Sequence, residues 1–134
     1  MSDNGVILDV RSISKHFGAL KAVDKVNFQV KKGEIVGLIG PNGAGKTTIT
    51  NLVTGELRKT EGEVHFKGIN VSNMQPFQIA RIDLTRTYQV VKPLQNMTVK
   101  ENILVGSLFG RSDRENDLNS ARKTTHHIME LVGL

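Results

Sequence analysis

Eight consecutive residues, Gly40-Pro41-Asn42-Gly43-Ala44-Gly45-Lys46-Thr47, restrict this chain more than anything else in it. They satisfy the pattern G-x-x-x-x-G-K-[ST] at every position. Glycines in such a loop let successive backbone N–H groups turn inward around an anion with no Cβ in the way. Lys46 is placed to reach the β and γ phosphates of a nucleotide, and the Thr47 hydroxyl to ligate Mg²⁺. A helix beginning near Lys46 would aim its unpaired N–H groups and the positive end of its dipole at the same phosphates. At average composition, a chance match in a chain of this length has a probability of roughly 0.5%. The alternative is a glycine turn followed by an exposed lysine.

The flanks favour the phosphate loop. Glu34 to Ile39 is a short continuous apolar run, the pattern of a strand covered on both faces. Beyond the motif, Ile49, Leu52 and Val53 recur at helical spacing, and Gly55 stands where a C-terminal cap belongs. Upstream, Val6, Leu8 and Val10 alternate with their neighbours, as do Val26, Phe28 and Val30, so both stretches read as strands, with a turn at Lys31 to Gly33. Downstream, Glu63 to Lys67 reads as a strand closed by Gly68, Pro76 to Arg81 as a short helix, and Thr85 to Val91 as a strand stopped by Pro93. Thr98 and Glu101 form a capping box for a helix through Ile103 and Leu104. Gly110 to Asp117 reads as a loop, and Leu118, Ala121, Thr125, Ile128 and Val132 as one face of a last helix ending at Gly133.

Composition excludes several classes. The 134 residues suit one domain, and 38% hydrophobic with 23% charged residues is globular usage. With no cysteine there is no disulfide and no thiolate metal site. The four histidines show no metal-ligand spacing, which argues against zinc. The charge of +5 is dispersed along the chain rather than gathered in a block. Asp3 stands where a signal peptide wants positive charge, and no apolar run approaches the length of a membrane span.

A phosphate loop names a ligand and not a task. The segment SKHFGALKAVDKVNFQVKKGEIVGLIGPNGAGKTTITNLVTG, from Ser14 to Gly55, resembles the ATP-binding subunit of ABC transporters. The resemblance continues through EGEVHFKGIN and RTYQVVKPLQNMTVKENILVG and covers nearly the whole chain. Within the family, RTYQ followed by NMTVKEN looks most like the branched-chain amino-acid uptake ATPases, with urea and amide uptake ATPases similar in pattern.

The resemblance implies an α/β fold: a P-loop NTPase core of the ABC ATPase type with an antiparallel β subdomain. It makes residues 1–134 the amino-terminal part of one nucleotide-binding domain, with the P-loop at 40–47 and the Q-loop from Gln89. The implied cofactors are ATP and Mg²⁺. Phe17 matches the aromatic residue that stacks on adenine, although as a lone aromatic it reads rather as core packing. Gln89 matches the glutamine that touches Mg²⁺ and the attacking water; without the match it is an ordinary polar residue. Thr48 is expected near the α phosphate. The implied partners are a second ATP-binding subunit and membrane permease subunits docked through Gln89 to Thr98, with the chain peripheral on the cytoplasmic face of the membrane.

The family's signature motif, acidic metal-holding strand end, catalytic glutamate and switch histidine do not occur in these residues. The expectation is a domain cut before its signature motif, with open sheet edges and apolar surface, that binds ATP and hydrolyses it poorly. The rival reading is a soluble ABC ATPase acting on ribosomes or nucleic acid. Dispersed charge and few aromatics speak against it, and no nucleic acid is expected as a partner.

Overall fold

The computed structural model describes residues 5–88, 90–110 and 117–134. Its elements run β1 (Val6–Phe17), β2 (Leu20–Lys31), α1 (Lys46–Val53), β3 (Glu61–Phe66), β4 (Ile69–Asn70), α2 (Pro76–Arg81), α3 (Val99–Phe109) and α4 (Leu118–Leu131). Two compact units divide the chain, Met1–Ile79 and Ala80–Leu134.

The first unit is built on an antiparallel sheet in the order β2-β1-β3-β4. The expected alternation is present in β2, where Val26, Phe28 and Val30 are half-buried between exposed Lys25, Asn27 and Gln29. In β1 it breaks. Val10 and Ile13 are both buried although three apart, because Ser12 takes a left-handed φ of 47° and bulges the strand. Side chains satisfy the disturbed backbone: Asn27 Oδ1 accepts from Ser12 N at 2.7 Å, and buried Ser14 Oγ accepts from Lys25 N at 2.9 Å. Opposite the bulge, Gly62 sits at φ 89° with the Ser12 carbonyl occupying the place a Cβ would take. Val10, Ile13, Val23, Val64 and Phe66 form the buried set of the sheet, joined by Val71 just beyond β4, and Ile49, Leu52 and Val53 that of α1.

The antiparallel subdomain and the helix after the glycine loop are as the sequence implies. Gly55, at φ 75°, follows the last turn of α1, and Leu57 N donates to Asn51 O at 3.0 Å. The short helix over 76–81 is also where expected, and β3 ends in the turn at Gly68, which leads to the unexpected β4.

Two expected strands are not formed. Residues 34–40 are irregular, with Ile35 98% and Ile39 94% exposed, and no strand follows α2 before α3 among the described residues. An apolar run specifies what gains by burial, whereas a strand also needs a partner for its N–H and C=O groups. The sheet runs β2-β1-β3-β4 and does not include residues 34–40, whose single backbone bond to it among the described residues is the turn contact from Glu34 N to Lys31 O.

In the second unit α3 and α4 pack on each other. The capping box is complete: Glu101 N donates to Thr98 Oγ1 at 3.2 Å, and Thr98 N donates back to Glu101 Oε2 at 2.7 Å. The Thr98 N–H, and its hydroxyl, which also donates to Glu101 Oε2 at 2.8 Å, hold the Glu101 carboxyl below its ordinary value of 4.5. A depressed carboxyl contributes stability that is fully present above the unfolded-state value and lost as pH falls through the lower folded one. Amide exchange in the first turn of α3, corrected for intrinsic pH dependence, is therefore expected to lose protection progressively as pH falls below the ordinary carboxyl value of 4.5. Thr98→Ala should bring that loss, several-fold, to neutral pH; unchanged protection in the variant contradicts the box. Asp117 caps α4 by accepting from Asn119 N and Ser120 N, while residues 111–116 of the expected loop lie outside the described residues.

Candidate phosphate-binding site

The glycine loop arrives at α1 through Gly45, which is left-handed (φ 84°) and gives the helix no side-chain cap. The first intrahelical bond is Ile49 N to Gly45 O at 2.9 Å, so helix geometry leaves the N–H groups of Lys46, Thr47 and Thr48 without an intrahelical acceptor. No acidic side chain stands in the first turn. The positive end of the helix is thus neither capped nor neutralised by its own turn, and it follows directly on a loop whose residues 41–44 are exposed. That combination favours an anion.

Lys46 completes the arrangement. Its Nζ donates to Gly40 O and to Pro41 O, both at 2.7 Å, so the ammonium spans the beginning of the loop from the helix side. Ala44 N closes the loop internally on Pro41 O at 3.2 Å. The sequence marks Gly40 and Pro41 only as loop positions; their role as the lysine's acceptors is a backbone property that no residue pattern displays. Thr47 is exposed, and Thr48 is partly buried.

The loop is fixed against the sheet by close approach. A Cβ on Gly45 would lie 2.7 Å from Ala22 O and 3.4 Å from Val23 Cγ2, both in β2. Gly43 also has a positive φ, 83°, but open space around it. Phe17 ends β1 opposite Leu20, in the same hairpin that receives Gly45, and the residue is 50% exposed. It is therefore not the core residue that a lone aromatic suggests.

Gln89 lies outside the described residues. The rest of the expected docking segment is irregular and exposed: Val90, Val91, Leu94 and Met97 all present apolar surface. Asn102 of α3 ties its end down, accepting from Leu94 N at 2.8 Å and donating to the carbonyls of Met97 and Thr98.

Among the described residues no group of three or more His, Cys, Asp or Glu could hold a metal ion, and no helix is long and apolar enough to cross a membrane. The donor chemistry at the loop suits Mg²⁺ carried by a nucleotide, since that ion takes few protein ligands and fills its remaining positions with phosphate oxygens and water. Thr47 offers one hydroxyl to such an ion.

The family model described as ABC transporter matches residues 23–134. A probable branched-chain amino acid transport ATP-binding protein LivG of Archaeoglobus fulgidus is 48% identical over 99 residues, 74% of this chain and 38% of its own length. The nucleoside import ATP-binding protein NupA of Lactococcus lactis is 37% identical over 131 residues, 98% of this chain and 26% of its own. A crystal structure of the ADP conformation of an ATP-binding cassette of an ABC transporter superposes with a TM-score of 0.76 at 36% identity, over 96% of this chain and 54% of that one. The chain therefore spans between about a quarter and just over half of the proteins it matches. On its loop, its helix and these likenesses, the chain belongs to the ABC transporter family.

Proposed function

We propose that this chain is the nucleotide-gripping part of the ATP-binding subunit of an importer, one that couples ATP to the uptake of branched-chain amino acids. The observation that carries the reading is the loop itself: an uncapped, acid-free helix start under a lysine held across Gly40 and Pro41. In this reading residues 1–134 belong to one nucleotide-binding domain. Gly40, Pro41, Asn42, Gly43, Ala44 and Gly45 surround the β and γ phosphates, Lys46 neutralises them, and Thr48 approaches the α phosphate. Thr47 and Gln89 hold Mg²⁺, which when bound supplies charge neutralisation on the phosphates. Phe17 carries the adenine.

Resemblance in RTYQ and NMTVKEN supports the amino-acid substrate, together with what the Archaeoglobus relative is named for. The match to a nucleoside importer over 98% of the chain favours a second reading, in which the same subunit powers nucleoside uptake. In both, a second ATP-binding subunit and membrane subunits are the partners, the latter meeting the segment from Gln89 to Thr98 at the cytoplasmic face of the membrane.

Co-purification of the subunit with membrane subunits, and ATP-dependent uptake of leucine or of uridine by the assembled complex, tests the proposal and separates the two substrates. Salt-dependent binding to RNA, with no membrane partner, would contradict it in favour of the ribosomal or nucleic-acid reading. The family's acidic metal-holding strand end and catalytic glutamate do not occur in these 134 residues, so they are expected to bind ATP with little turnover. Phosphate release by these residues alone near the ~10 s⁻¹ of a typical enzyme would contradict that expectation.

A further inference from the structure

Lys15 precedes Phe17 by two positions on β1, on the same side of the strand, and is partly buried. Its Nζ lies 5.0 Å from the centre of the Phe17 ring and donates to Arg58 O at 2.7 Å. Arg58 belongs to the segment that leaves α1, the helix of the phosphate loop. One side chain therefore connects the aromatic ring to the backbone that continues from the phosphate-binding helix. Neighbouring bonds stitch the same seam: Thr60 N donates to Ser14 O at 2.8 Å, and His16 N donates to Thr60 Oγ1 at 3.0 Å.

From these contacts we infer that Lys15 is a positioning residue for nucleotide binding. It orients the half-exposed Phe17 ring and fixes its place relative to the phosphate loop. The inference rests on the reading of Phe17 as the base platform. An exposed phenylalanine at a hairpin end would otherwise sample several rotamers and lose that freedom when a base stacks on it. An ammonium held near its ring removes part of the cost beforehand, through attraction to the ring's negative face. Because Nζ is anchored on a carbonyl rather than left in solvent, the attraction acts at a defined place. The role requires no contact between Lys15 and the nucleotide.

The test compares MgATP with magnesium tripolyphosphate, which has the phosphates but neither base nor ribose, by titration into the chain and its variants. Lys15→Met keeps an apolar stem and removes both charge and donor. It is expected to weaken MgATP roughly three- to tenfold, the scale of a cation–π contact plus a lost preorganised rotamer, and to leave tripolyphosphate within about twofold. Retained tripolyphosphate binding shows that the loop is still folded. Lys15→Arg, which keeps a cation and a donor, should recover most of the loss. In Phe17→Ala, which should weaken MgATP selectively by itself, adding Lys15→Met should cost little more. If Phe17→Ala weakens MgATP and Lys15→Met does not, the inference is overturned while the platform reading stands. If Phe17→Ala leaves MgATP unchanged, the platform reading fails and this inference fails with it. Equal weakening of both ligands by Lys15→Met overturns a positioning role in favour of a direct charge effect on the phosphates.

Discussion

Gly62→Ala is expected to destabilise the first unit by about 2–5 kcal/mol, combining backbone strain with forced displacement of packed atoms. The residue sits at φ 89°, and an added Cβ would fall against the backbone carbonyl of Ser12 and near that of Arg11. Neither obstacle is the end of a flexible side chain. The Ser12 carbonyl belongs to the bulge in β1, whose N–H is already held by Asn27, so it can retreat only by unpairing the hairpin. For a domain whose whole stability is about 5–15 kcal/mol, a cost on this scale moves a large share of the population out of the native state. Urea unfolding followed by far-ultraviolet dichroism measures it; a loss below about 0.5 kcal/mol, the range of an ordinary surface change, would contradict the strand geometry.

Gly45→Ala acts on the ligand as well as on the fold. The added Cβ meets Ala22 O at 2.7 Å in a residue already at φ 84°. Relief requires the start of α1 to move off β2, and that movement re-aims the N–H groups of Lys46, Thr47 and Thr48. A loss of at least about tenfold in MgATP affinity is expected, equivalent to 1.4 kcal/mol. Gly43→Ala supplies the contrast, because φ is 83° there but nothing lies within 4 Å. Its cost is the left-handed backbone alone, roughly 1–2 kcal/mol for an L-residue. If the two variants bind MgATP equally well, the packing of the loop on β2 does not set its shape. Titration of both by calorimetry decides the matter.

What could be read from the residues divides along the range of the interactions. The capping box at Thr98 and Glu101, the helix opened by Pro76, the glycine after α1 and the turn at Gly33 depend on neighbours in sequence, and each is where the pattern puts it. The phosphate loop is legible for the same reason: turn, helix start and lysine lie within eight residues. The run over 34–39 and the stretch over 85–91 required knowledge of a pairing partner; apolar character in the first and β-branched and aromatic content in the second suggested strands that the described residues do not form. The bulge at Ser12 escaped because a serine signals nothing about φ, and the importance of Gly62 depends on what lies across the ladder from it. β4, two residues long, is too short for any period to show. Of the site, the donors were legible and the acceptors were not: Lys46 is named by the motif, while the carbonyls of Gly40 and Pro41 that hold it are visible only in the fold.

The central claim is that the loop over residues 40–47 grips the phosphates of ATP, with Lys46 as the charge that does so. Calorimetric titration of MgATP into the purified chain, with Lys46→Ala alongside, tests it most directly. Saturable binding at one site per chain, reduced about ten- to a hundredfold in the variant, is the predicted result, the scale expected when a charged hydrogen-bonding partner is withdrawn from a bound anion. Equal binding by both proteins, or none by the unsubstituted chain, would contradict it.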